Sequence, residues 1–298
     1  MVAAMTITLP AERAAHPGRG IMLMLLAVLG WVAMDTIGKT LVGWGIPVWQ
    51  VTWARYAFHL AAMLPFVLAG RVNVRTTRPG LQVTRSLLLL VVTFLVYTAL
   101  RFLPLATVNA IGFLTPLLIT ALSVPLLRER VGIRRWLAVA AGFAGVLILI
   151  RPSPAMHPAM LLPIAAALMN AFYQIATRLL SHTEPATTTL FWTSLVGFTV
   201  ASAAVPFAWS SPDAWGWTLM VALGVLGCVS HYLMIVAYTA SPAVVVAPFT
   251  YTQLIWVVPV GWFAFGDLPD LWNAVGAAII VASGLYTFYR EVRRGRVA

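Results

Sequence analysis

The sequence predicts an all-α membrane protein of ten transmembrane helices, arranged as two inverted five-helix repeats. Three observations predict it. Of 298 residues, 61% are apolar and 9% are charged, with a mean hydropathy of +0.92. Soluble domains carry about 25% charged residues, so this chain is too poor in charge to cover a water-facing surface. The apolar residues fall in runs of about 20, the length of a bilayer-spanning helix, with no alternating strands of about ten. Landmarks of the first half also return in the second. Lys39 and Arg178, Trp53 and Trp192, and Gly145 and Gly284 are each 139 apart. Pro47 and Pro185, Pro104 and Pro242, and Glu129 and Asp267 are each 138 apart, and Tyr97-Thr98-Ala99 recurs 141 positions on as Tyr238-Thr239-Ala240.

The apolar runs place spans at 20–42, 47–69, 82–100, 104–126 and 133–151, then at 158–178, 186–208, 215–239, 242–265 and 270–289. Residues 1–19 read as a cytoplasmic tail, 20–151 as the first repeat, 152–290 as the second and 291–298 as a basic cytoplasmic tail. Five spans per copy is an odd number, so the second copy enters the bilayer inverted relative to the first. Pro104 and Pro242 open the fourth and ninth spans. Pro116 interrupts the first of these, and Pro248 and Pro259 interrupt the second. Proline removes a helix hydrogen bond and kinks the axis. The alternative is a static packing kink.

Charge sets orientation. With the N-terminus inside, 15 of the 19 basic residues fall on the inner side, Arg71, Arg75, Arg78, Arg85, Arg128, Arg130, Arg134, Arg135 and Arg178 among them. Arg101 and Arg151 lie outside, and Lys39 and Arg55 lie within spans. This is the positive-inside pattern. It accounts for the net charge of +11 with lipid as the partner and without a nucleic acid. The preference for arginine over lysine points to a bacterial inner membrane, with both termini cytoplasmic. One cysteine, Cys228, leaves no intramolecular disulfide or cysteine metal cluster. No Walker loop, H-E-x-x-H or G-x-S-x-G pattern is present. No enzyme activity, cofactor or metal is expected, and the chain is read as a monomer or homo-oligomer.

Ionisable residues inside spans are costly and face a protein interior or a wet cavity. Asp35 and Lys39 are four apart on the first span and share a face, and Arg55 reaches a similar depth on the second. Asp35 is expected to cluster with Lys39 or Arg55. The cluster is either a structural ion pair, or a site where Asp35 takes a proton or a substrate ammonium group. The 139-offset counterpart of Asp35 is Gln174, so the second copy keeps the cation (Arg178) and loses the acid. Uncharged candidates for a substrate pocket are Trp31, Tyr97, Asn109, Asn170, Tyr173, Gln174, His231, Tyr251, Gln253 and Trp256. Aromatic rings with polar tips suit a small organic molecule, although mid-span aromatics more often pack helices. Trp44, Trp49, Trp215, Trp217 and Trp272 lie near span ends and read as interfacial.

The order of several fragments then resembles the drug/metabolite transporter superfamily, in its EamA-like branch. These are Leu103-Pro104-Leu105-Ala106 through Thr115-Pro116, Leu127-Arg128-Glu129-Arg130, Arg134-Arg135-Trp136 and Gly142-Phe143-Ala144-Gly145-Val146. The second copy shows Ala247-Pro248-Phe249-Thr250-Tyr251, Phe265-Gly266-Asp267 and Gly276 to Gly284. The resemblance covers residues 20–290. It implies two inverted halves around a central cavity and secondary transport of a small polar metabolite by alternating access. Members include amino-acid exporters of the YddG type and carriers of S-adenosylmethionine, riboflavin and sugar phosphates. An amino-acid exporter is the expected function, with uptake of S-adenosylmethionine or riboflavin as the alternative. Asp267 stands where the commoner residue of the family is glutamate. A phosphate carrier would be expected to bury more cations than Lys39 and Arg55.

Overall fold

A computed structural model describes residues 17–127, 132–152, 157–181, 183–241 and 243–293. Among them the elements are helices and 3₁₀ turns, without strands. The first half comprises α1 (Pro17–Gly43), α2 (Val48–Leu68), α3 (Pro79–Leu100), α4 (Leu105–Gly112), α5 (Thr115–Leu127) and α6 (Ile133–Ile150). The second comprises α7 (Leu161–Ser181), α8 (Ala186–Ala204), α9 (Ala214–Ala240), α10 (Ala243–Val246), α11 (Gln253–Phe265) and α12 (Leu271–Arg293). Eight helices among the described residues are long and apolar enough to cross a membrane, α4 and α5 counting as one. Trp136–Ile150 in α6 is a shorter apolar helix. The predicted ninth span is assembled from α10, a 3₁₀ turn over Ala247–Thr252, and α11.

Proline starts the helices as its geometry allows, because the missing N–H is one that a first turn leaves unbonded. Pro47 and Pro185, counterparts in the repeat, cap α2 and α8 with nearly the same dihedrals, φ −58°, ψ 139° and φ −60°, ψ 142°. Pro104 does the same for α4. Its counterpart Pro242 lies outside the described residues, as do Arg128, Glu129 and Arg130. Pro116 differs from expectation. The fourth span breaks just before it, at Phe113 and Leu114, and Pro116 occupies the first turn of α5 instead of interrupting a helix. Asp213 caps α9 by accepting from the Gly216 amide at 2.7 Å.

The packing repeats when each element is exchanged for its counterpart. α1 lies on α9, and α7 lies on α3. α2 also packs on α9, and α8 on α3. Three pairs of counterpart spans touch each other, the fourth and ninth through α4 and α11, and each contact runs antiparallel. In α2 and α8, the Trp53 indole donates to Ser202 at 3.0 Å, Tyr56 meets Gly197, and Met63 meets Ser194. In α4 and α11, Leu105 faces Gly261, and Asn109 accepts from Gln253 at 2.6 Å; beyond them Phe113 stacks on Tyr251. In α6 and α12, Gly142 faces Ser283, Gly145 faces Ile279, and Leu149 faces Gly276.

This last seam is set by backbone contact. A Cβ on Gly145 would fall 2.9 Å from the Gly276 carbonyl oxygen, and one on Gly276 would fall 2.6 Å from that of Gly145. At the other end of the bundle, the Glu184 carboxylate after α7 clamps the α2–α3 connection. It accepts from the Thr76 hydroxyl, the Thr77 amide and the Thr77 hydroxyl, each at 2.8 Å. These donors favour the ionised form and hold Glu184 below the usual carboxylate range.

Gly276→Val should force α6 and α12 apart and lower stability by about 1–3 kcal/mol, read as a fall in melting temperature of detergent-solubilised protein. An unchanged melt would remove the close-packed seam. Because Glu184 titrates lower in the folded than in the unfolded chain, its contribution is present above the unfolded carboxylate pKa of about 4.3 and fades as pH falls through the folded value. Glu184→Gln should therefore flatten the decline of melting temperature on acidification, and parallel pH profiles for the two proteins would count against the clamp.

Candidate functional site

Polar side chains inside an apolar bundle turn toward one another, since lipid offers them no partner. Asp35 on α1 stands beside the Asn109 amide and in the field of Arg55. Asn109 is also the acceptor for Gln253, so α1, α4 and α11 converge there. On α2, Arg55 is 9% exposed and donates to Thr93 of α3 at 3.1 Å. The Thr93 hydroxyl also meets the Tyr56 hydroxyl at 2.9 Å. Tyr97 is fully buried beside Arg55, without a well-directed hydrogen bond from its hydroxyl to a protein group.

A ring ladder continues this polar cluster. Trp31 meets His231 edge-on at 5.9 Å between centroids, and His231 meets His59 at 6.2 Å. His231 Nδ1 is engaged by the Gly227 carbonyl at 2.8 Å. Trp31 Nε1 and His59 Nε2 are buried and have no protein hydrogen-bond partner. Burying a polar group without a partner costs about 1–3 kcal/mol. His59 was not among the expected site residues. In sequence it is one of five scattered histidines, and only the packing of α2 on α9 brings it to His231.

Several expectations are corrected. Lys39 does not pair with Asp35. Its long stem carries the ammonium past the end of α1 to Asp267, and it also donates to the Leu103 carbonyl at 3.1 Å and lies 4.8 Å over the Phe265 ring. Gly266, in the left-handed region at φ 71°, ends α11 and turns Asp267 toward it. Trp256 is 43% exposed, and its neighbours Ile255, Trp262 and Phe263 on α11 are 66%, 50% and 80% exposed. Gln174 is likewise exposed, on the side of α7 that carries Arg178 and Ser181. Asn170 donates weakly to Thr115 at 3.4 Å. Tyr251 is half-buried, stacked on Phe113 with its hydroxyl against Gly284.

Arg85 is the largest correction. It does not join the solvated inner charges. It is 5% exposed, two turns inside α3. Its Nε donates to Thr177 at 2.7 Å, Nη1 to Thr193 at 2.5 Å and to the Thr189 carbonyl at 3.4 Å, and Nη2 to the Tyr173 hydroxyl at 2.7 Å. The guanidinium also lies 4.4 Å over the Tyr173 ring. Two i,i+4 pairs, Tyr173 with Thr177 and Thr189 with Thr193, build this cage from α7 and α8. Such hydroxyl stripes on neighbouring predicted helices are the signal that would have found it.

No group of three or more potential metal ligands occurs among the described residues. The assembly is a polar, partly charged interior reached by helices of both halves, and it fits binding of a small solute. The chain belongs to the EamA-like transporter family, whose model matches residues 18–151 and 157–289. It is 30% identical over 275 residues to an S-adenosylmethionine uptake transporter of Rickettsia bellii, covering 91% of this chain and 94% of that one. It is 31% identical over 290 residues to a riboflavin transporter of Vibrio cholerae, covering 94% and 96%. A pseudopaline exporter of Pseudomonas aeruginosa is 21% identical over 272 residues, covering 89% and 94%. A solved structure at 20% identity superposes with a TM-score of 0.65, covering 93% of this chain and 98% of the other, which shows a shared fold.

The Lys39 and Asp267 side chains are 13% and 26% exposed, so removing one partner strands a largely buried charge. Asp267→Asn should cost on the order of 2–3 kcal/mol, less than a fully buried pair. The Lys39→Met, Asp267→Asn double variant should recover part of that loss in the same melting assay. Additive losses would show that the two groups are energetically independent.

Proposed function

We propose that the chain is a ten-span secondary carrier of the bacterial inner membrane, with both termini cytoplasmic. Residues 20–151 and 152–290 form two inverted halves that alternate access to a central chamber. The antiparallel contacts between α2 and α8, between the fourth and ninth spans through α4 and α11, and between α6 and α12 support the inversion, because an axis in the membrane plane reverses each span relative to its counterpart. Its solute is a small metabolite that carries a cationic group and a heterocycle, and S-adenosylmethionine is the first to test. One observation carries this reading. Trp31 Nε1 and His59 Nε2 are buried without protein partners in the same polar cluster as Asp35 and Arg55. A heterocycle can satisfy the first two while Asp35 meets a cation. The relatives named for S-adenosylmethionine and riboflavin support such a substrate at least as well as the amino-acid export expected from sequence. Riboflavin, a neutral heterocycle, is the second reading.

Direction follows the gradients, because a solute bound equally well by both states cannot shift the equilibrium between them. Counterflow in proteoliposomes, with labelled S-adenosylmethionine, riboflavin and a panel of amino acids, tests the substrate. Uptake of S-adenosylmethionine is expected, and uptake of none of them would overturn the reading. In the same vesicles Asp35→Asn should remove any dependence of uptake on a pH gradient. Unchanged coupling would return Asp35 to a structural role.

A further inference from the structure

The Arg85 cage holds a charge that its surroundings do not balance. Five carboxylates have described side chains, and four are engaged elsewhere. Asp267 is taken by Lys39 and Asp270 by Arg151; Glu184 is held by Thr76 and Thr77, and Asp213 caps α9. The fifth, Asp35, faces Arg55 and Asn109. Arg85 meets only neutral oxygens among the described residues. A buried cation with hydrogen bonds but without a counter-charge is retained at a cost of several kcal/mol. An anion that arrives with the solute would offset that cost.

The cage has donors left for such a group. Four of the five guanidinium N–H bonds are used, which leaves one on Nη2. The Thr177 and Thr193 hydroxyls spend their protons on the carbonyls of Tyr173 and Thr189, both at 2.7 Å. The Tyr173 hydroxyl accepts from Arg85, and its own proton has no acceptor among the described residues. A free Nη2 hydrogen and a free phenolic hydrogen therefore stand side by side, a pairing that suits one carboxylate.

Place adds a second argument. Thr93, the α3 partner of Arg55, is eight residues beyond Arg85, or about 12 Å along the helix. Both networks nevertheless border α8 one turn apart: Arg85 bonds Thr193, and Tyr56, whose hydroxyl meets the same Thr93 as Arg55, packs on Gly197. In the repeat, the offset of 141 that relates Tyr97 to Tyr238 on the same helix pair makes Leu226 the counterpart of Arg85. The cation is thus a feature of one half alone, at the end where α3 begins.

We propose that Arg85 and Tyr173 bind a carboxylate on the transported solute, in the half of the pathway nearer the start of α3. Resting on the carrier reading above, this assigns the solute an anionic group in addition to the cationic one met by Asp35. S-adenosylmethionine has both, and its decarboxylated analogue lacks only the anion.

Proteoliposome uptake of the two compounds tests the assignment. Wild type should prefer S-adenosylmethionine. Arg85→Gln should lower its apparent affinity about 10- to 100-fold, the usual loss for a charge-assisted contact, and change that of the decarboxylated analogue less than about threefold. Tyr173→Phe, which keeps the ring and removes only the donor, should lower the affinity for S-adenosylmethionine about three- to tenfold. It decides the matter if Arg85→Gln does not fold. Wild-type selectivity in these variants would reduce the cage to a tie between α3, α7 and α8 and leave the carrier reading intact. Equal handling of both compounds by the wild type would overturn the carboxylate site. Uptake of neither would overturn the substrate reading and this assignment together.

Discussion

Hydrocarbon cannot hydrogen-bond, and that deficit organises this molecule. Every backbone group in a span must find its partner within its own helix, and every polar side chain must find one between helices. Asp35, Arg55, Tyr97, Asn109 and Gln253 therefore converge from five helices, and Arg85 recruits hydroxyls from two more. At one end of the bundle Lys39 reaches Asp267, and at the other Glu184 gathers the threonines of the α2–α3 connection. The apolar residues fill what remains, in a core shared by α1, α2, α3, α4, α9 and α11 and another around α5, α6 and α12.

The duplication is obeyed in backbone and broken in chemistry. Pro47 and Pro185 adopt the same geometry, and the helix partners repeat from one half to the other. The side chains that hold charge do not follow. Asp35 is interior while Gln174, its counterpart, is exposed. Arg85 sits in a hydroxyl cage while its counterpart, Leu226, is apolar. A symmetric scaffold with an asymmetric interior lets the two sides of the chamber differ in what they hold, without altering the packing that relates the halves.

How far the sequence could be read follows from the range of each signal. Helix positions depend on runs of apolar residues and on proline, both local, and the predicted spans fall within a few residues of the helices. The 139-residue offset is long-range but repeats many times, so it too was legible. Side-chain partners were not. The four-residue spacing of Asp35 and Lys39 is a local cue, and it missed Asp267, brought alongside by the packing of α1 on α11. Arg85 lies close to a predicted boundary among other arginines, where nothing local separates a solvated charge from a buried one. Trp256 and Gln253 are neighbours on one short helix, and only its rotation against α4 decides which of them faces inward.

The glycine seam between α6 and α12 has a mechanical meaning. Where two backbones touch through Gly145 and Gly276, Ile279 and Leu149 flank the contact, and little side chain lies between the helices to absorb a displacement. Such a contact rolls more readily than it slides or separates. On the alternating-access reading, these helices would serve as the axle of the machine. Openings would then be made at the far side of the bundle, by elements that meet through longer and softer side chains.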